Sequence, residues 1–386
     1  MSSTHLFFLG RQHDLAQAEL EVVLQRFGVP ASITPITPAI VSVDLPDSVS
    51  PSNLMNVLGG MVKIAVSLTE LETIDTETFE KEIAKLIDND GNAKARRTFV
   101  LAEHDRNHLD AVSHQTIKRL LTSKDLSVRY IETSREGAEA GLLLEGKITE
   151  YHIIHLVTKT LLAKTVAVQD VHNWSHRDMD KPYRDKKKGM IPPKLARTMI
   201  NLAIGDGEPK SKTLFDPFCG TGTVLMEGLM LCLTAMGSDL DSQAVHGAGE
   251  NLQWVVKEYS VSEPSRLSIQ DATRVSLQET GTKVDCIVTE PFMGKPNPTL
   301  ANVDNILKGL EKMYIGAFKQ WKLILKTGGK VCIVFPVVTL GKTVKTVQSV
   351  IDRLESLGYT REKGPYIYTK LHAPVQRAVY VYRLKE

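Results

Sequence analysis

Two glycines and a series of acids are spaced through the second half of the chain as the holder of a nucleotide-like ligand would space them. Asp216, Pro217, Phe218, Cys219, Gly220, Thr221, Gly222 and Thr223 follow the short apolar run Thr213-Leu214-Phe215 and precede a strongly apolar stretch, 224–233. Glycine lets the backbone approach a ligand closely, and a carboxylate at a strand end can accept from ligand hydroxyl or amino groups. Asp239 follows Asp216 by 23 residues, near the spacing of about 20 at which an acid reaches ribose hydroxyls in nucleotide-binding folds. Asp271 and Ala272 close a third apolar run, and Glu290, Pro291 and Phe292 close a fourth, ahead of Met293 and Gly294. One Gly-x-Gly pair is also an ordinary strand-to-helix turn. Four apolar runs in order, each ending in polar groups, are far more specific. The glycine turn holds no lysine, so it is not a phosphate-cradling P-loop, and its pattern is not the Gly-x-Gly-x-x-Gly of a nicotinamide dehydrogenase.

These residues need a parallel sheet to bring them together. Strand, glycine turn and helix form the opening unit of an α/β fold whose ligands sit at the carboxyl ends of the strands. A long helix over 306–325, a strand over 328–336, a helix over 346–357 closed by Gly358, and an antiparallel pair at 366–368 and 378–383 complete it. Ahead of the glycine turn, Pro192 and Pro193 open a helix, where the missing N–H is harmless. The first half reads differently. A strand at 5–9, a helix over 15–27 capped by Asp14, short strands between 29 and 43 and another from 58 form a small α+β unit of ferredoxin-like type. A second α+β unit follows. Its helices are expected over 76–87 (ended by Asn89 to Asn92) and 108–121, and its strands at 97–102, 127–131, 142–147, 151–157 and 161–170. His152 and His155 read as strand-face or solvent residues, because a metal site needs about three or four convergent ligands.

At 386 residues the chain has room for about two or three domains. Its 42% hydrophobic and 24% charged residues are ordinary for a soluble protein, and no apolar run approaches the roughly 18 residues of a membrane span. The N-terminal residues lack the basic start and long apolar run of a signal peptide. Cys219, Cys232, Cys286 and Cys332 have no metal spacing and are expected as small buried hydrophobes in a reducing cytoplasm. A net charge of +2 carries no message, so nucleic-acid affinity has to come from local clusters. One such cluster is 171–188, where Arg177, Lys181, Arg184, Lys186, Lys187 and Lys188 outnumber Asp178, Asp180 and Asp185, with Trp174 and Tyr183 interleaved. Two readings stay open and can hold together: a solvated linker, and an RNA-facing strap with cations on phosphates and an aromatic ring for stacking.

Asp216 to Thr223 resembles motif I of the S-adenosylmethionine (SAM)-dependent methyltransferases that modify exocyclic amines of nucleobases. Glu290-Pro291-Phe292-Met293-Gly294 stands where that class carries Asp/Asn-Pro-Pro-Tyr/Phe. Phe7 to Arg11, Leu58 to Ala65 and Gly189 to Ala196 extend the likeness to nearly the whole chain, which resembles the THUMP-domain tRNA guanine-N2 methyltransferase family, acting on guanosine 10 of tRNA. The resemblance implies a Rossmann-like, seven-stranded methyltransferase domain over 191–386. It implies a ferredoxin-like unit over 1–60, a THUMP domain gripping tRNA over 61–168 and a basic linker over 169–190. It assigns Asp216, Pro217, Phe218, Cys219, Gly220, Thr221, Gly222, Thr223 and Pro193 to the cofactor, Asp239 and Leu240 to its ribose side, and Asp271 and Ala272 to its adenine. Glu290 and the Pro291 carbonyl would accept from the target amine, and Phe292 or Met293 would cover the base. Two departures bear on this: Glu is one methylene longer than Asp, and the second proline is absent. The implied setting is a cytoplasmic, monomeric enzyme with tRNA as partner and no membrane, and a requirement for a small activating protein stays open. Methylation of another base amine in RNA or DNA, and a non-catalytic scaffold that binds SAM and RNA, are the alternatives.

Overall fold

A computed structural model describes residues 2–30, 32–72, 76–89, 96–104, 112–134, 137–185, 190–262, 266–369 and 373–385. The helix end expected at 90–92, the first part of the helix expected over 108–121, and Lys186 to Gly189 lie outside these. The chain divides into two compact units, each described by itself. The first comprises 1–13, 29–56 and 61–173, and the second comprises 14–28, 57–60 and 174–386.

Elements of the N-terminal half are β1 (Ser2–Leu9), α1 (His13–Arg26), β2 (Thr34–Thr37), β3 (Ile40–Pro46), α2 (Pro51–Val57) and β4 (Met61–Glu72). There follow α3 (Thr76–Asn89), β5 (Arg97–His104), α4 (His114–Thr122), β6 (Val128–Tyr130), α5 (Ala140–Leu144), β7 (Thr149–His155) and β8 (Lys159–Val168). The first unit is built on one sheet in the order β2-β3-β1-β4-β8-β7-β5-β6. A division at residue 60 therefore does not separate two sheets: β4 is long enough to pair with β1 on one edge and with β8 on the other. The strand expected at 142–147 is instead the short helix α5, in which Leu143 is buried and which ends before Gly146 at φ +68°. A short apolar run does not by itself distinguish strand from buried helix. His152 and His155 are both buried and hydrogen-bonded rather than facing solvent. His152 Nε2 lies 2.8 Å from Thr165 Oγ1, and His155 Nε2 lies 3.0 Å from Glu103 Oε1.

After β8 the chain continues with α6 (Val171–Ser175), a wide π turn at His176–Asp180, and α7 (Pro193–Ile204), the second unit resuming at Trp174. It then runs through β9 (Thr213–Asp216), α8 (Thr223–Met230), β10 (Thr234–Asp239), α9 (Ser242–Tyr259), β11 (Arg266–Ile269), α10 (Leu277–Thr280) and β12 (Val284–Thr289). It closes with α11 (Val303–Ile324), β13 (Leu325–Leu340), β14 (Thr343–Thr346), α12 (Gln348–Arg353), β15 (Tyr359–Tyr368) and β16 (Val375–Leu384). The sheet order is β11-β10-β9-β12-β13-β16-β15, with β14 as an extra hairpin on β13. Pairings from β11 to β13 are parallel, and β16 pairs antiparallel with both β13 and β15. Strand order reverses between β9 and β12, which opens a crevice at their carboxyl ends, the usual ligand site of such sheets. On α11, Val303, Leu307, Leu310, Tyr314, Phe318 and Trp321 recur at helical spacing and are buried, with Phe335, Tyr359 and Tyr382 in the same core. Each such side chain contributes about 1.5–3 kcal/mol through burial.

Residues 14–28 and 57–60 belong to this second unit. Glu19 of α1 is fully buried and accepts from Gly59 N and Gly60 N at 2.8 and 2.7 Å and from Asn201 Nδ2 of α7 at 2.7 Å. Cys219, Cys286 and Cys332 are buried, but Cys232 is exposed at φ +64°, in the turn between α8 and β10.

Candidate active site

Asp216 and Thr289 end the neighbouring strands β9 and β12. Thr289 Oγ1 donates to Asp216 Oδ1 at 2.6 Å, and Phe218 N donates to the same oxygen at 3.1 Å. Burial raises the Asp216 carboxyl to about 7 against these two bonds, and the negative charges of Asp239 and Glu290 push the same way. Asp239 and Glu290 therefore both lie within electrostatic reach of Asp216, with Thr289, next to Glu290, hydrogen-bonded to Asp216.

The glycine turn is shaped for close approach. Gly220 has φ +50° and Gly222 φ +85°, a region that costs other residues about 1–2 kcal/mol. A Cβ at Gly220 would meet nothing within 4 Å, so the space beside that backbone is open. Asp239 holds the turn: its Oδ2 accepts from Gly220 N at 2.9 Å and its Oδ1 from Asp241 N at 3.0 Å. Asp239 O accepts from Gln270 N at 3.0 Å, which brings the ends of β10 and β11 together. Asp271 Oδ1 accepts from Thr273 N and Thr273 Oγ1, both at 2.8 Å, and Ala272 is buried beside it. Leu240 is exposed, whereas Pro217, Cys219, Thr221 and Thr223 are buried. Pro193 is buried at the start of α7, and just ahead of it Met190 Sδ accepts from Thr221 Oγ1 of the turn at 3.4 Å.

Segment 171–185 is not a solvated linker throughout. Arg177 and Lys181 are buried. Lys181 Nζ donates to Thr223 Oγ1 at 3.1 Å, at the first residue of α8. Arg177 Nε donates to Glu227 Oε1 at 2.6 Å, and Arg197 Nε and Nη2 reach Glu227 Oε2 at 2.9 and 2.6 Å. Trp174 packs on both guanidiniums, 4.4 Å from Arg177 and 5.3 Å from Arg197. The Tyr183 ring rests on Gly247, and its backbone N and O pair with the Asn251 amide, which also donates to Thr221 O at 2.8 Å. Lys181, and Tyr183 through Asn251, thus tie the segment to the glycine turn and Arg177 ties it to α8, while Arg184 donates to Met179 O at 3.0 Å.

Glu290 follows β12 with its side chain only 9% exposed. Arg377 of β16 donates to it through Nε and, at 3.3 Å, through Nη2. Pro291 is buried and Phe292 is 62% exposed, while the buried Tyr314 hydroxyl donates to Phe292 O at 2.7 Å. Sequence reasoning missed Arg377, Tyr314, Asn251 and the Glu227 cluster. Only tertiary structure brings them in, and Arg377 lies 87 residues from its partner.

A parallel sheet with its reversal between a glycine turn and an acid-proline turn, closed by an antiparallel strand pair, is the Rossmann-like fold of methyltransferases. The crystal structure of TrmN from Thermus thermophilus shares the fold, with a TM-score of 0.58 over 99% of both chains at 15% identity. The UPF0020 family model (RMKL-like, methyltransferase domain) matches residues 181–338. A probable tRNA (guanine(10)-N2)-dimethyltransferase of Methanothermococcus thermolithotrophicus is 34% identical over 121 residues, 30% of this chain and 70% of that one. The tRNA (guanine(10)-N2)-dimethyltransferase of Methanothermobacter thermautotrophicus is 34% identical over 148 residues, 38% of this chain and 39% of that one. The protein belongs to the tRNA (guanine(10)-N2)-dimethyltransferase family. It spans 39% to 62% of the length of three longer curated relatives it matches.

Proposed function

We propose that the protein transfers a methyl group from SAM to the exocyclic N2 of a guanosine in tRNA, at position 10. The observation that carries this is the convergence of Asp216, the Asp239-held Gly220 turn and Glu290 at neighbouring strand ends. The site fits the cofactor: open space lies beside Gly220, and carboxylates end β9 and β10 and follow β11. Asp216 and the backbone from Pro217 to Thr223 would hold the methionine part, Asp239 and Leu240 the ribose, and Asp271 and Ala272 the adenine. When bound, SAM supplies an activated methyl on sulfonium, so the difficult chemistry is the cofactor's.

The residues of this chain have to present the amine. Its lone pair is delocalised into the guanine ring, and acceptors on both N–H groups localise it and aim it. A carboxylate has about four acceptor positions, so Glu290 retains capacity beyond its two bonds from Arg377. The Pro291 carbonyl is the second acceptor, and the exposed Phe292 ring offers a face for an everted base. Orientation of this kind can supply up to about 7–11 kcal/mol of the barrier. In this reading the first unit is the tRNA-gripping part, with ferredoxin-like and THUMP character, and the protein works in the cytoplasm.

Nucleoside mass spectrometry of unmodified tRNA incubated with protein and SAM tests the proposal, and absence of N2-methylguanosine refutes it. A scaffold that binds SAM and RNA without turnover is the second reading, prompted by the engagement of Glu290 with Arg377. SAM binding by calorimetry, with no methylation of any nucleobase, would establish it.

A further inference from the structure

The acid-proline turn carries one proline and a side chain longer than aspartate, so its own covalent structure leaves the acceptor loosely specified. Fixing a free glutamate side chain costs rotamer entropy, and Phe292 imposes no fixed φ. The surroundings restore what is missing. Arg377 grips both Glu290 oxygens from β16, a strand paired to β13 at Pro336 and to β15 at Tyr368, so its backbone is held on two sides. Tyr314, in the middle of α11, holds the Phe292 carbonyl at 2.7 Å. Gly294 turns the chain at φ +90°, where a Cβ would come within 2.6 Å of Ile306. The Glu290–Arg377 pair is largely shielded, its side chains 9% and 14% exposed. A buried ion pair loses in desolvation much of what it gains in attraction, so its use here is orientation more than stability.

We propose that Arg377 is a positioning residue for the methyl-transfer step. It holds the Glu290 carboxylate where the target amine meets it, with Tyr314 anchoring the turn behind. This rests on the proposed function, because the amine is the group being positioned. Arg377 is assigned this role through Glu290 alone, the group its guanidinium bonds.

Arg377→Ala is expected to lower kcat on tRNA on the order of 100-fold, the effect of a misplacement of about 1 Å, while SAM affinity by calorimetry stays at the wild-type value. Arg377→Lys keeps the charge but loses the planar fork and falls between the two. Guanidinium ion added to Arg377→Ala restores part of kcat and gives nothing to Glu290→Ala. Hydrogen exchange over 290–294 accelerates in Arg377→Ala. The proposal is overturned if kcat is unchanged, if SAM affinity falls in parallel, or if guanidinium does not rescue. If the wild-type protein methylates no tRNA, the proposed function fails, and hydrogen exchange still decides the positioning claim: unchanged exchange over 290–294 overturns it.

Discussion

Acidification should weaken SAM binding through Asp216. The fold raises this carboxyl from its ordinary 3.8 to about 7, chiefly by burial. Folding therefore favours the protonated form: that contribution to stability is whole below about pH 4 and is lost as pH rises through about 7. A ligand carrying a sulfonium and an ammonium needs the opposite form. Below about pH 7 binding has to displace the proton, so affinity should fall tenfold for each unit, and above it affinity should level off. From about pH 8 to about pH 5.5 the loss is about 30-fold, or about 2 kcal/mol. Titration calorimetry in buffers of different ionisation enthalpy should show close to one proton released per SAM at about pH 6 and almost none at about pH 8. Asp216→Asn should abolish the proton release, weaken binding at pH 8 and raise the melting temperature of the free protein at pH 8, because the unfavourable buried charge is gone. Affinity independent of pH, with no proton release, would refute the reasoning.

Three substitutions test the scaffold around the glycine turn. Glu227→Ala strands the buried Arg177 and Arg197 guanidiniums. It should destabilise the protein by about 3–5 kcal/mol, lowering the calorimetric melting point by roughly 6–20 °C. Gly222→Ala places a Cβ at φ +85°, 3.2 Å from Ala248; a loss of about 1–2 kcal/mol in denaturant titration, with weaker SAM binding, is expected. Asn251→Leu removes the amide joining Tyr183 to Thr221. A stability loss of about 1–3 kcal/mol and protease sensitivity between Trp174 and Arg184 should follow.

Most of the methyltransferase sheet was legible in the sequence because each strand is a short apolar run with punctuation at its end. Asp216, Gly220, Gly222, Asp239, Asp271 and Glu290 could be picked out because local rules of turn and strand end govern them. α5 was misread, since three adjacent leucines satisfy helix and strand alike. Segment 171–185 looked like exposed charge, but Arg177 and Lys181 are buried because Glu227 and Thr223 receive them. Those partners lie dozens of residues away, where periodicity says nothing. Arg377 stayed hidden for the same reason, as one charge in an alternating strand.

The placement of α1 bears on how such a protein can be cut or recombined. Asn201 hands its side-chain N–H groups to Glu19 and to Val57 O, and Arg26 donates to Gly205 O at 2.8 Å. A truncated chain beginning at residue 191 would open a socket in its own helix layer, stripping Asn201 and the Gly205 carbonyl of these partners and baring the apolar surface around them to water. Exchange of the amino-terminal part among related genes would have to carry the α1 helix and the Gly59-Gly60 corner along, or evolve a replacement plug. Heritable modules of this architecture therefore interleave along the gene instead of lying end to end.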